Sequence, residues 1–116
     1  MFHSDKQLFQ HILDEISFIE SEGQKIDLEK FLSDPKSQRA FARSIEIIGE
    51  AVKNLSNKVI ANNPEIEWRK IAGMRDKLIH GYFSVNYKLV WDVCTNIIPQ
   101  LKNQLRDVMK KHPEDF

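Results

Sequence analysis

The chain has 116 residues, of which 41% are hydrophobic and 29% are charged; this is the composition of one globular domain and excludes a disordered chain. Lysine plus arginine equals aspartate plus glutamate at 17 each, which excludes the strongly basic class of nucleic-acid-binding domain, so any contact with a polyanion must be local. The sequence has no long apolar run, no signal-peptide pattern and no second cysteine beside Cys94, so we expect a cytoplasmic protein without a membrane partner.

The first part of the chain predicts one long helix and one short helix. Ser4, with a glutamine three residues later, has the pattern of a capping box. Gly23 is expected to end the first helix. Asp27 is the expected cap of a short second helix, and Asp34 followed by Pro35 predicts the start of a third, because proline suits the first helical position. The apolar residues that recur at helical spacing in the first helix are Leu8, Ile12, Ile16 and Ile19.

The third predicted helix has the most regular apolar pattern. Its large apolar residues follow alternating steps of four and three residues, which predicts one continuous buried seam. Ala42, Gly49 and Ser56 form a line of small residues where another helix can approach closely. The helix is expected to end at residues 62–64, Asn-Asn-Pro. The seam consists of Phe41, Ile45, Ile48, Val52, Leu55 and Val59.

Two further helices complete the predicted fold. One covers residues 67–79, with Gly81 at the position of a left-handed C-terminal cap. The last begins near Asn86, and Pro99 is expected to kink it or to leave a carbonyl unpaired one turn earlier. The sequence therefore predicts an all-α protein, an antiparallel bundle of four to five helices, with residues 1–116 forming a single domain.

Chemically useful side chains are concentrated in residues 75–82. Arg75, Asp76, His80 and Tyr82 lie within this segment of eight residues. Histidine is the side chain best suited to proton transfer near neutral pH. Arginine binds phosphate oxygens in a forked geometry and stabilises charge that develops on them. This combination suits the cleavage of RNA by its own 2′-hydroxyl, which needs a base, an acid and a cation but no metal or cofactor.

The spacing of Arg75 and His80 creates a geometric problem. On a regular helix the two side chains point about 140° apart, so they do not converge on one phosphate. Either the helix ends before His80, or a second subunit completes the site. We favour the second solution, a homodimer through the face near the third and fourth predicted helices, in which two Arg/His pairs share a composite cleft.

The motif and its surroundings resemble a known family. Arg75, four residues, His80, one residue and Tyr82 match the R-x4-H-x-Y form of the HepT-like toxins, which are HEPN-domain ribonucleases. The phrase at residues 44–51, SIEIIGEA, is similar to the central helix of that family. Trp68 and Arg69 precede the motif as expected, and a Gly-Tyr-Phe sequence at residues 81–83 closes it. The resemblance extends over nearly the whole chain.

The resemblance implies a toxin of a type VII-like toxin–antitoxin system whose partner is an MntA-type nucleotidyltransferase. His80 would be the acid/base residue of a metal-independent endoribonuclease, and Arg75 would hold the phosphate of an RNA substrate such as tRNA or mRNA. Asp76 would support one of these two side chains. Tyr82 would receive AMP from the antitoxin, and a bulky anion there would block the cleft and repel RNA.

Other readings of these residues remain open. The chain could be a catalytically silent module that binds a nucleotidyltransferase, or a purely structural helical dimer. Arg39 and Arg43 suit an ion-paired helix surface better than an RNA contact. His11 near Asp14 or Glu15 has metal-ligand spacing, but two ligands on one helix do not make a site. Cys94 is expected to be a buried thiol.

Overall fold

The computed structural model describes residues 3–79 and 84–116, and the secondary structure of these residues is almost entirely helix and turn. The predicted all-α fold class is confirmed. No helix in the described ranges is long and apolar enough to cross a membrane. The described elements are α1 (Asp5–Gly23), α2 (Leu28–Leu32), α3 (Pro35–Lys53), α4 (Asn57–Asn62), α5 (Trp68–Ala72), α6 (Met74–Leu78), α7 (Tyr87–Asp92), a π-helical segment (Val93–Ile97) and α8 (Ile98–Lys111).

Helices α1 and α3 run antiparallel through the centre of the bundle. At the start of α1, the Asp5 carboxylate accepts hydrogen bonds from the backbone N–H and the hydroxyl of Ser56, just after α3. Further along α1, Glu15 accepts a hydrogen bond of 2.8 Å from the hydroxyl of Ser44, within α3. Residue numbers therefore fall along α3 as they rise along α1.

Helix α8 also runs antiparallel to α1. Near the end of α1, Glu20 Oε1 lies 3.1 Å from Lys102 Nζ. Near its start, the rings of Phe9 and Phe116 have centroids 4.4 Å apart. Contacts with both α3 and α8 explain why the apolar face of α1 is withdrawn from solvent: Leu8, Phe9, Ile12, Ile16 and Ile19 are each at most 4% exposed.

The predicted helix starts are confirmed at the first three helices. Ser4 and Gln7 form the capping box of α1, with both reciprocal hydrogen bonds present. The side chain of Asp27 accepts from the backbone N–H of Lys30 and caps α2. Pro35 occupies the first position of α3, where its missing N–H leaves no intrahelical hydrogen bond unmade.

The apolar seam of the third predicted helix is confirmed, because all six of its residues are buried. The prediction of one helix as far as residue 62 is wrong: α3 ends at Lys53, and α4 begins at Asn57 after a turn. The backbone N–H of Ser56 donates to Asp5 at 2.9 Å, so it does not continue the α3 hydrogen-bond ladder. The Ser56 hydroxyl then caps α4 through Val59.

The helix predicted over residues 67–79 consists of two short helices. Gly73 separates α5 from α6, and both helices lie against α3. At the closest approach, a Cβ added to Gly49 would lie 3.2 Å from the carbonyl oxygen of Ala72. The prediction that Gly49 marks a close helix contact is confirmed, and that contact fixes where α5 lies.

The last predicted helix starts as expected, with the Asn86 side chain capping α7 through the backbone N–H of Leu89. The expected disturbance before Pro99 takes the form of the π-helical segment. Here the backbone N–H of Ile98 donates to the carbonyl of Val93, five residues earlier. The wider turn accommodates a proline that has no N–H to offer, and α8 then continues without a break.

Candidate functional site

The segment that carries the motif begins at the end of α6. The last hydrogen bond of this helix runs from the Ile79 N–H to the Arg75 carbonyl at 2.9 Å. Ile79 is extended, with φ −124° and ψ 108°, and forms an isolated antiparallel bridge with Val85. The Asn86 N–H donates to the Leu78 carbonyl at 2.9 Å. The chain therefore leaves α6 and returns to α7 at one paired point, next to the backbone of Arg75.

Arg75 presents its guanidinium to solvent beside Asp76. Arg75 Nη1 lies 3.6 Å from Asp76 Oδ1, and the two side chains are 45% and 70% exposed. An ion pair this open to water contributes about 0–1 kcal/mol, so it does not hold the guanidinium away from a phosphate. The structure places Asp76 where it can support Arg75, as the sequence suggested, and its role stays a prediction.

His80 and Tyr82 lie outside the described residues, as do Gly81 and Phe83. Their predicted roles as acid/base residue, AMP acceptor, helix cap and motif residue therefore stay predictions. The end of α6 nevertheless bears on the angle predicted between Arg75 and His80. Because α6 ends at Leu78, the angle of about 140° that a continuous helix imposes between residues five apart does not apply to this motif.

Trp68 anchors the short helices that carry Arg75. Its side chain is buried, and its indole N–H donates to the Asn63 carbonyl at 3.0 Å. The Asn63 side chain donates in turn to the Val59 carbonyl at 2.9 Å. The start of α5 is thus tied to the end of α4, which explains why a tryptophan stands seven residues before the arginine of the motif.

The secondary candidates from the sequence do not assemble into a site. Arg43 Nη1 lies 3.8 Å from Glu46 Oε2 on the exposed surface of α3, as predicted for an ion-paired face. Glu15 accepts a hydrogen bond from Ser44, and Asp14 accepts one from Gln10; within the described part of the chain, His11 belongs to no group of three possible metal ligands. Cys94 is buried, which confirms the predicted buried thiol, and this burial raises the pKa of the thiol to about 12.

One group of possible metal ligands occurs in residues 3–79 and 84–116, at the end of the chain. His112, Glu114 and Asp115 have ligand atoms within 4.8 Å of one another. Asp115 also accepts a hydrogen bond from Lys58, and all three side chains are in contact with solvent. Exposed acidic groups of this kind are common without a bound ion, and we assign no site to them.

Sequence reasoning did not find a groove beside the motif, between α5–α6 on one side and α7–α8 on the other. We call it the α5–α8 groove; its volume is about 570 Å³. Periodicity assigns residues to one face of one helix, whereas this groove is lined by residues of α5, α6, α7, the π-helical segment and α8. Its apolar lining includes Ile71, Met74, Leu78, Leu89, Ile97 and Leu101.

The family model and the similar proteins all indicate the same family. The family description "Ribonuclease HepT-like" matches residues 12–108. The "Putative RNase" of Caldanaerobacter subterraneus subsp. tengcongensis is 46% identical over 102 residues, which cover 88% of this chain and 91% of that protein. The "Probable ribonuclease HepT" of Thermococcus cleftensis is 43% identical over 110 residues, or 95% of this chain and 100% of that protein. No solved structure matches the chain.

Proposed function

This chain belongs to the HepT-like ribonuclease family and is an endoribonuclease on that ground; we propose that it is the toxin of a type VII-like toxin–antitoxin system. In this proposal it cleaves cellular RNA such as tRNA or mRNA without a metal ion. An MntA-type nucleotidyltransferase then neutralises it by attaching AMP to Tyr82. Arg75 and His80 form the catalytic pair, and the protein acts as a cytoplasmic homodimer.

The proposed reaction uses a nucleophile that the RNA itself supplies. The ribose 2′-oxygen loses its proton to a base and attacks the adjacent phosphorus. A new 2′-O–P bond forms, the bond from phosphorus to the 5′-oxygen of the next nucleotide breaks, and an acid returns a proton to that leaving oxygen. His80 carries out proton transfer, and Arg75 stabilises the additional negative charge on the phosphate oxygens. An internal nucleophile removes the need for a metal-activated water.

The observation that carries this proposal is the position of Arg75 at the end of α6. Its carbonyl accepts the last hydrogen bond of the helix, and its exposed guanidinium is paired only weakly, with Asp76, among the described residues. The Ile79–Val85 bridge fixes both ends of the segment that contains His80. The backbone of a permanently charged residue is thus fixed beside the start of that segment, which supports the proposed chemistry.

A homodimer would complete the cleft. One Arg75 from each copy gives two cations, which would bind the phosphates on both sides of the scissile bond. Such a composite site also explains how a chain with a formal net charge of zero would handle RNA, because assembly concentrates positive charge locally.

The test of catalysis is the cleavage of bulk cellular RNA, including tRNA, by unmodified protein in the presence of a chelator. Arg75→Ala and His80→Ala are each expected to lower the cleavage rate about 100-fold or more. Arg106→Ala is the matched control, because Arg106 is an exposed arginine on α8, and it should cleave at the wild-type rate. Absence of cleavage by wild-type protein whose intact mass shows no AMP would contradict the proposal and favour the silent partner-binding module.

The test of neutralisation uses a nucleotidyltransferase of the MntA type with ATP. The Tyr82 oxygen would attack the α-phosphorus, form a phosphodiester and release pyrophosphate. Tyr82→Phe is expected to cleave RNA, to gain no mass and to stay active in the presence of the partner. The other tyrosine of the chain, Tyr87, provides a matched control: Tyr87→Phe should still gain the mass of one AMP. Modification of Tyr82→Phe would overturn the assignment.

A further inference from the structure

Residues 111–116 fold back from the end of α8 toward the core. The backbone N–H of Asp115 donates to the carbonyl of His112 at 3.0 Å and closes a turn. After this turn the side chain of Phe116 is partly buried against the core. Its ring centroid lies 4.4 Å from that of Phe9 on α1. We call residues 111–116 the clamp segment.

Phe9 connects the clamp segment to Trp68. Phe9 is fully buried, and its ring contacts two others: that of Phe116, with centroids 4.4 Å apart, and that of Trp68, with centroids 6.5 Å apart. Aromatic pairs at such distances are stabilised by the relative placement of the rings as well as by burial. A shift of the Phe116 ring is therefore transmitted through Phe9 to Trp68, the residue that begins α5.

Two ion pairs tie the clamp segment to α4 and to the connection that precedes α5. Lys58 Nζ on α4 lies 3.2 Å from Asp115 Oδ2, and Lys111 Nζ lies 3.8 Å from Glu65 Oε1. All four side chains are in contact with solvent. Ion pairs of this kind are weak and are screened by salt. The aromatic contact therefore provides most of the attachment, and the ion pairs add to it.

Helix α5 depends on such contacts for its position. It has five residues and no side-chain hydrogen bond at its N-cap. A helix this short is not stable alone in water, so tertiary packing must hold it. The close contact of Gly49 holds the end of α5, at Ala72. Trp68 holds its start, through the Phe9 ring and the Asn63 carbonyl.

We propose that the clamp segment positions the catalytic arginine, with Phe116 acting through Phe9 and Trp68. Only Gly73 separates α5 from α6, so a displacement of Trp68 also moves the helix that carries Arg75. The guanidinium must meet the phosphate oxygens in the transition state, and a displacement of about 1 Å strongly lowers the rate of a reaction that depends on such placement. Phe116 is a positioning residue in this scheme and does not touch the RNA.

This inference rests on the proposed function, which supplies the role of Arg75. The contacts of Phe116 do not depend on that role, so the two can fail separately. Phe9 and the clamp segment also lie outside residues 12–108, the part of the chain that the family description matches. The inference therefore concerns a part of this chain that the family match does not describe.

The first test uses Trp68 as its own reporter. The chain has two tryptophans, and Trp91→Phe keeps an aromatic ring while it leaves Trp68 as the only fluorescent indole. In this background Phe116→Ala is expected to shift the emission maximum to the red and to increase quenching by acrylamide, because water reaches the indole. Phe18→Ala, toward the opposite end of α1, should change neither. Unchanged emission and quenching in Phe116→Ala would overturn the proposal.

The second test separates positioning from RNA binding. Phe116→Ala should lower kcat for RNA cleavage about 10-fold and leave KM near the wild-type value, because only the placement of Arg75 in the transition state is lost. Phe116→Tyr keeps the ring and should restore kcat to nearly the wild-type value. A rise in KM at unchanged kcat would mean that Phe116 serves RNA binding, and it would overturn the proposal.

A matched variant excludes general destabilisation as the cause. Urea denaturation of each variant identifies conditions in which it is fully folded, and cleavage is measured there. Phe18→Ala also removes a partly exposed phenylalanine that contacts another aromatic ring, that of Phe41, and it should keep both kinetic constants. A fall in kcat as large as that in Phe116→Ala would indicate a general effect of lost aromatic packing and would overturn the proposal.

The two tests together separate this inference from the proposed function. If wild-type protein cleaves no RNA, the proposed function fails, and the Trp68 fluorescence still decides: exposure of the indole in Phe116→Ala supports the clamp, and no change overturns it. If the wild type cleaves RNA and Phe116→Ala cleaves it equally well while Trp68 is exposed, the proposed function stands. The clamp segment then does not position Arg75, and the inference is overturned.

Discussion

Two regions of this molecule are built in different ways. Helices α1 and α3 have 19 residues each, run without interruption and bury a continuous apolar face. The region from α5 to the π-helical segment uses helices of five or six residues, with breaks at Gly73 and Ile79. The long pair contributes much of the buried core, whereas the short elements carry Arg75, the motif segment and, together with α8, the α5–α8 groove.

The candidate functional residues lie in the region of short helices. In a long, regularly packed helix, the helical repeat determines which side chains are buried and which are exposed. Few residues of such a helix are then available to form a functional site. Short helices end often, and every end redirects the backbone, so that loops and exposed side chains collect on one surface. The short region still needs a rigid support, which the contact of Gly49 with Ala72 and the Trp68 hydrogen bond supply.

Phe41 provides the largest test of the long-helix core. It is 1% exposed and lies against Phe31 and Trp91. We expect Phe41→Ala to lower the free energy of unfolding by about 3–5 kcal/mol, measured by urea denaturation, because it leaves a cavity. Phe18→Ala is the control, because Phe18 is 41% exposed and its replacement should cost less stability. If Phe18→Ala lowered the free energy of unfolding as much as Phe41→Ala does, burial would not explain the size of the effect.

Gly49 tests how the core supports the functional region. Gly49→Val adds side-chain atoms where a Cβ would already lie 3.2 Å from a backbone carbonyl of α5. We expect a loss of about 1–3 kcal/mol in the free energy of unfolding. RNA cleavage should fall more in this variant than in a core variant of equal stability, since α5 leads directly to α6. Equal cleavage in the two would mean that the α3–α5 contact does not position the site.

Gly73 tests whether the break between α5 and α6 is required. Its φ is −92°, which alanine adopts without strain, and an added Cβ would lie 3.4 Å from the Arg69 carbonyl oxygen. We expect Gly73→Ala to raise the free energy of unfolding by about 0.4–1 kcal/mol, because alanine restricts the unfolded chain. A destabilised variant in thermal unfolding would show that the break needs glycine itself.

The loss of stability that is smallest at neutral pH, where it vanishes, concerns Cys94 and is measured at alkaline pH. Burial raises the pKa of this thiol from 9.0 to about 12, so the folded state keeps a proton that the unfolded state loses. Its contribution to stability is complete below pH 9 and declines as the pH rises toward 12. Comparison with Cys94→Ala isolates this term in urea denaturation at several pH values. The wild type should lose more stability than the variant above pH 9; parallel curves would contradict a buried thiol.

The long helices were predictable because their signals are local. The Ser4 capping box, the Pro35 start and the seam that begins at Phe41 all depend on residues a few positions apart. The break at Ser56 was not predictable in this way, because it depends on a carboxylate 51 positions earlier in the chain. The seam continues through the break, so the apolar pattern alone gave no sign of it.

The sequence predicted which residues belong to the candidate site, but it did not predict how they are arranged. Arg75, Asp76, His80 and Tyr82 were identified from a short motif with its neighbouring residues. The extended conformation of Ile79 depends on pairing with Val85, and the α5–α8 groove depends on how five elements meet. Tertiary contacts of this kind leave no periodic trace in the sequence.

The central claim is that RNA supplies its own nucleophile to Arg75 and His80. The most direct measurement is end-group analysis of a defined RNA cleaved with chelator present, beside the same RNA with one 2′-deoxy nucleotide at the cleavage position. The account predicts a 2′,3′-cyclic phosphate and a 5′-hydroxyl, with no cleavage at the deoxy position. Cleavage at the deoxy position, or 5′-phosphate ends that appear only when a divalent metal is added, would contradict it.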